Sequence, residues 1–179
     1  MFNKFIFLLL ATIINSSCVT KPYYWRIYED CIPNDAVSTE DENSEIFVGR
    51  VGVCYDNKVV SYYPATFNST SKSATTDVLN KKRVFNKDIM ILCTSEPERL
   101  RWKYINNVAV QGDLLNKIVA AGEHPSGIRY VGKVFHENEW KVSTVYKYGH
   151  NNPGLYIWTN VDGSEVIVKD FQVLTYESS

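Results

Sequence analysis

The sequence predicts an all-β protein made of two pseudo-symmetric copies of one antiparallel β-unit fused into one body. Three observations predict it. The first is repetition: Phe47-Val48-Gly49-Arg50-Val51 returns in the second half of the chain as Tyr130-Val131-Gly132-Lys133-Val134. Upstream, Asn34 to Val37 matches Asn116 to Val119, and downstream Val84 to Leu92 matches Val166 to Leu174, both at nearly the same offset. Three separated blocks at one period make a tandem repeat. The second observation is a succession of short β-branched and aromatic runs, punctuated by turn residues every 8–12 positions or so. The third is that no window keeps a helical period over three turns; even Leu114 to Ala121 is broken by Asn116 and Lys117.

In chain order, Lys21 to Glu29 is aromatic-rich and extended in character. Pro33-Asn34-Asp35 gives a turn, and Glu40 to Ser44 an acidic loop. Ile46 to Tyr55 is the central strand of the first copy; Gly49, like Gly132 in the second, points to a bulge or to another backbone passing close. Asp56-Asn57 turns the chain into Lys58 to Tyr63, and Glu137-Asn138-Glu139 does the same in the second copy. Asn68 to Lys82 is polar and reads as a loop with one helical turn near Val78-Leu79. Phe85 to Thr94 closes the first copy, and Trp102 restarts the pattern that Trp25 began. Val142 to Tyr148 alternates, with Val142, Thr144, Tyr146 and Tyr148 on one face. Leu155 to Val161 and Glu165 to Tyr176 follow as two further strands around the Asp162-Gly163 turn. The copies are assigned to residues 22–98 and 99–179.

Residues 1–18 read as a secretory signal peptide. Lys4 precedes the apolar run Phe5 to Ile14. That run is too short for a membrane span, which takes roughly 20 residues. A secreted, extracellular protein without a membrane span is expected. Losing Lys4 leaves 18 Lys+Arg against 20 Asp+Glu. Such a balance argues against nucleic acid as a partner. Cys31, Cys54 and Cys93 all fall in the first copy. An oxidising compartment favours one bridge there, with Cys54–Cys93 the preferred pair because each ends a strand-like run. Asn68-Ser69-Thr70 is an N-glycosylation sequon at Asn68.

The order of blocks resembles the DM9 repeat, a family that occurs as tandem pairs. The blocks are a Trp, Asn-x-[Ala/Ile]-Val, a loop, [Phe/Tyr]-Val-Gly-[Arg/Lys]-Val, and a closing Asp-[Ile/Phe]-x-[Val/Ile]-Leu, from about Trp25 to Tyr176. The resemblance implies two repeats intertwined about a pseudo-twofold axis. From the family's mannose-binding bivalve lectins, it also implies carbohydrate recognition and a part in innate immunity or host–pathogen contact. In those lectins an Asp before the central strand and a Lys in a Pro-Gly-Lys turn after it hold sugar hydroxyls. The Asp falls on Asp41, and its second-repeat counterpart on Glu123 or His124. The Pro-Gly-Lys turn is missing from both halves, and ungapped counting puts Ser61 and Thr144 at the Lys position.

The three histidines lack a metal-ligand spacing, and no catalytic motif is present, so no enzyme, metal or cofactor is expected. Tyr62, Tyr63, Tyr146, Tyr148, Tyr156 and Trp158 are candidates to stack on sugar rings. The expected function is lectin-like recognition of glycans, of mannose type, through Asp41, Ser61, Glu123, His124 and Thr144. Single-site affinity would be low, so several sites must act together, and a homodimer is a candidate way to supply them. The alternative is a protein-interaction module whose sugar site has decayed.

Overall fold

A computed structural model describes residues 21–39, 45–55, 59–105, 112–124, 127–147 and 152–177. The expected signal peptide, Asp41, Asp56-Asn57, Tyr148 and His150 lie outside them. The strands among the described residues follow one another as β1 (Tyr24–Ile27), β2 (Ile46–Tyr55), β3 (Val59–Asn68), β4 (Ser73–Asp77), β5 (Lys82–Phe85), β6 (Ile89–Cys93), β7 (Leu100–Ile105), β8 (Ala120–His124), β9 (Gly127–His136), β10 (Glu139–Tyr146), β11 (Gly154–Trp158), β12 (Glu165–Val168) and β13 (Phe171–Tyr176). The first sheet runs β1-β6-β2-β3-β4-β5. The second runs β7-β13-β9-β10-β11-β12, with β8 pairing alongside β9. Strand for strand, the two orders are the same. No helix among the described residues is long and apolar enough to cross a membrane.

Hydrogen bonding repeats with the sequence period. Val37 N–H donates to Leu92 O at 2.8 Å, and Val48 N–H to Val37 O at 2.9 Å. In the second half, Val119 N–H donates to Leu174 O at 2.8 Å and Val131 N–H to Val119 O at 2.9 Å. Trp25 opposes Leu92 as Trp102 opposes Leu174. Val48 and Val131 are both fully buried in one cluster with Tyr23, Leu92, Leu100, Val119, Val142 and Leu174, drawn from both halves. Separate clusters lie within each half, around Phe67 and Ile91 and around Leu155 and Phe171. Apolar burial of this kind contributes roughly 25 cal/mol per Å².

Several elements depart from the sequence reading. The polar stretch after Asn68 is not a loop, because Ser73–Asp77 forms β4, with Ala74, Thr76 and Asp77 buried. No helical turn forms at Val78-Leu79; Leu79 and Asn80 instead take positive φ angles of 55° and 63° and turn the chain into β5. The closing runs of both halves are each two strands, split in the first at Asp88, with φ 55°. In β10 both faces of the alternating run are covered, for Lys141 to Val145 are all buried. That strand has the second core on one side and β3 of the other repeat on the other (Thr66 bonds Val142).

Gly132 and Gly49 do mark close approaches. A Cβ at Gly132 would lie 2.4 Å from Val145 Cγ2 and 3.2 Å from Gln172 O, and one at Gly49 would lie 3.1 Å from Phe67 Cβ.

Cys31, Cys54 and Cys93 are free, which corrects the expected Cys54–Cys93 bridge. In the antiparallel β2–β6 register Gly49 faces Ile91. Cys93 therefore falls opposite Phe47, while Cys54 lies at the far end of β2, roughly 23 Å away along the strand. That is far beyond bridging reach.

Ungapped counting between the halves also fails beyond the central strands. Arg50 faces Pro64 across the first hairpin, whereas Lys133 faces Val142 across the second. The second hairpin closes tightly after His136, with Glu137 and Asn138 at φ 52° and 62°. Positive φ at both central residues is what a two-residue hairpin turn demands. The first hairpin carries its ladder further, to the pair Tyr55 and Val59, before it turns. The counterpart of Thr144 is therefore Thr66, not Ser61. Tyr62 and Tyr63 correspond to Trp140 and Lys141.

Candidate functional site

The base in each copy of the central strand is built into the join between the repeats. Arg50 Cζ lies 4.7 Å from the Trp25 ring centroid and 4.3 Å from that of Tyr62, and Nη1 donates to Ala121 O at 2.6 Å. Lys133 Nζ lies 4.5 Å from the Trp102 ring and 4.4 Å from the Trp140 ring and donates to Thr39 O. Thr39 and Ala121 are themselves counterparts at the repeat offset. Each repeat thus holds a cation between two aromatic rings and reaches the backbone of the other, the reciprocal contact that a twofold relation requires. These cations are occupied in holding the halves together. In the broad cleft of about 670 Å³ beside Lys133, lined also by Asp35, Trp102, Trp140 and Gln172, the charged groups Lys133 and Asp35 are already bonded, to Thr39 O and to Tyr24.

A second cavity, of about 350 Å³, lies between β8–β12 of one repeat and β3–β4 of the other. Arg129, His124 and Thr144 line it from the second repeat, with Tyr146, Tyr156 and Glu165. Tyr63, Asp77 and Asn80 complete it from the first. Arg129 is only 2% exposed. Its guanidinium lies 3.8 Å from the Tyr63 ring centroid and Nη2 donates to Tyr63 Oη at 2.7 Å, while Nε and Nη1 have no partner. Thr144 Oγ1 is likewise buried without a hydrogen bond, whereas the buried Asp77 carboxyl is paired with that of Glu165. Burial, and secondly the Glu165 carboxyl beside it, push the Asp77 pKa up to about 8. Burial, and then Arg129, hold His124 below its ordinary value, so the imidazole is neutral at pH 7.

The corresponding cavity in the first repeat is about 170 Å³ and is lined by Thr66, Asn68, Ser73, Thr75, Lys82, Glu139 and Trp158. Two differences close it. Lys141, the counterpart of Tyr63, is fully buried, and its ammonium is consumed by Glu137 at 2.6 Å, Trp158 O at 2.7 Å and Glu139 at 3.5 Å. Thr66 Oγ1 accepts from Val142 N–H at 2.7 Å and donates to Val142 O at 3.1 Å. By register the counterpart of Val142 is Pro64, which has no N–H to offer Thr144. The Pro64 carbonyl already accepts from Thr76 Oγ1 at 2.6 Å. Pro64 is thus the physical reason that Thr144 is left with an open hydroxyl.

Of the residues expected from sequence, His124 and Thr144 converge in the larger cavity. Ser61 is buried in β3 opposite Val53 and does not line it, and Glu123 is exposed on β8. Asn68 ends β3, where its Oδ1 accepts from Ser71 N–H at 2.8 Å. Tyr63, Tyr146 and Tyr156, named as stacking candidates, do line the cavity. Arg129, Asp77 and Glu165 escaped the sequence reading. Arg129 had a signal, since it shares strand parity with buried Val131 and Lys133.

Fold and cavity together define a class: a tandem-repeat, all-β protein with a polar cavity between its repeats. The sequence matches no protein-family model and no curated protein. A solved structure with a similar fold is the nematode sperm cell motility protein MFP2B, at a TM-score of 0.54 and 9% identity over 88% of this chain. The chain spans 44% of the length of that structure. The likeness is one of fold.

Proposed function

We propose that the protein is a non-enzymatic, secreted, DM9-like tandem-repeat lectin whose larger inter-repeat cavity binds carbohydrate. The observation that carries this reading is the convergence of His124 and Thr144 with Arg129, Asp77, Glu165 and three tyrosines around one space of about 350 Å³. Sugars are held by hydroxyl groups shared between donors and acceptors, with an amphipathic ring alongside. Arg129 and Thr144 supply donors, the Asp77–Glu165 carboxyl pair supplies acceptors, and the tyrosines supply the rings. A glycan array on the mature protein tests the reading. Binding that disappears in a Thr144→Ala, Tyr156→Ala double variant supports it, and no binding to any glycan at high concentration removes it. Release of reducing ends over time would replace binding by hydrolysis.

A protein-interaction module is the second reading, favoured by exposed Ile27 on edge strand β1 and exposed Tyr104 on edge strand β7. Open edges can accept a strand from a partner. Capture of a defined partner with the glycan array blank would favour it.

A further inference from the structure

We infer that the larger cavity is built for an acidic saccharide, with the sugar's oxyanion, a carboxylate or a sulfate, seated on the free N–H groups of Arg129. The inference rests on the carbohydrate reading and adds the ligand's charge. A guanidinium stays protonated in any protein environment, so a buried one needs a counter-charge or a full set of acceptors. Arg129 has neither: one of its three nitrogens donates to Tyr63, and Nε and Nη1 are buried beside the cavity without a partner. Among the described residues, no carboxylate lies within ion-pair distance of it.

The smaller cavity shows what the same fold does when the charge is satisfied internally. Lys141 beside it meets Glu137 and Glu139 at 2.6 Å and 3.5 Å. In the larger cavity the nearby Asp77 holds its proton up to about pH 8 and shares it with Glu165, so the two carboxyls carry one negative charge rather than two. Thr144 Oγ1 adds another open hydroxyl. Glu165, less buried than Asp77, remains to accept from the sugar's neutral hydroxyls. A neutral sugar would meet these hydrogen bonds but leave the buried charge uncompensated, whereas an oxyanion meets both needs in charge-assisted bonds.

The test is calorimetric titration of the full chain at pH 6.5 with glucuronate, its methyl ester, glucose and inorganic sulfate. Glucuronate should bind at least about tenfold more tightly than ester or glucose, sulfate should compete with it, and Arg129→Gln should reduce it to the level of the ester. Equal affinity for the three sugars overturns the inference and leaves the carbohydrate reading standing. Sulfate binding without sugar binding overturns the carbohydrate reading, and the acidic saccharide with it. Silence in every titration overturns both. The comparison of acid with ester uses the unaltered chain, so it stands even if Arg129→Gln does not fold.

Discussion

The two inter-repeat cavities occupy corresponding places in the fold and have opposite chemistry. Around the smaller one the cation, the threonine hydroxyl and the backbone N–H facing it all find partners within the protein, while Trp158 Nε1 is buried without one. Around the larger one, two guanidinium nitrogens and a hydroxyl are buried and open. The duplicated frame fixes where such spaces occur. A few substitutions within it, Tyr63 against Lys141, Pro64 against Val142 and Arg129 against Ile46, decide which space is filled by the chain and which is left for something else.

The comparison is most easily broken by removing the two cations in turn. Lys141→Met should cost about 3 kcal/mol, because it strips a fully buried partner from a bonded network. Arg129→Met should change stability by less than about 1 kcal/mol, or raise it, because an unpaired buried charge is replaced by a fitting apolar chain. Denaturant unfolding of the two variants checks this. Equal losses would mean that Arg129 is as well satisfied as Lys141.

The paired threonines sharpen the contrast. Thr66→Val should cost about 1.5 kcal/mol by leaving a buried backbone N–H and C=O without their partner. Those groups belong to Val142, which Thr66 Oγ1 bonds at both. Thr144→Val should be neutral or slightly stabilising, since its hydroxyl bonds nothing in the protein. Thermal melts that show the reverse order would refute the assignment of Thr66 and Thr144 as counterparts.

A smaller effect concerns pH. Asp77 shares its cavity with Glu165, Tyr156, His124 and Arg129, and its folded pKa of about 8 lies above the ordinary carboxyl value of 3.8. The folded state therefore binds the extra proton, and stability falls as pH rises from about 4 to about 8. Asp77→Asn should remove that slope and leave the protein more stable than the parent at pH 8. A slope unchanged in the variant would place its origin elsewhere.

Much of the frame was legible because duplication writes the same pattern twice. The blocks around Val48 and Val131, Val37 and Val119, and Leu92 and Leu174 marked which residues of the two halves correspond; in the structure those residues, Val37 partly buried, make or pack on the shared core, and the strand orders repeat with them. What escaped depended on register and on burial by the other half. The longer first hairpin shifted β3 against β10, so Ser61 and Thr144 looked equivalent when they are not. The polar run Ser73-Ala74-Thr75-Thr76-Asp77 looked solvated because nothing local reveals that the second repeat covers it; Thr76 lies 3.4 Å from Ser143 across the join. The larger cavity is made from both repeats, so only two of its residues, His124 and Thr144, lay where the resemblance directed attention.

The most direct test of the account is an amide NMR titration of the full chain with glucuronate, following both cavities in one experiment. Shifts confined to Asp77, His124, Arg129, Thr144 and Tyr156, with Thr66, Asn68 and Ser73 unmoved, are the predicted result. Shifts centred on the smaller cavity, or none at saturating sugar, would contradict it.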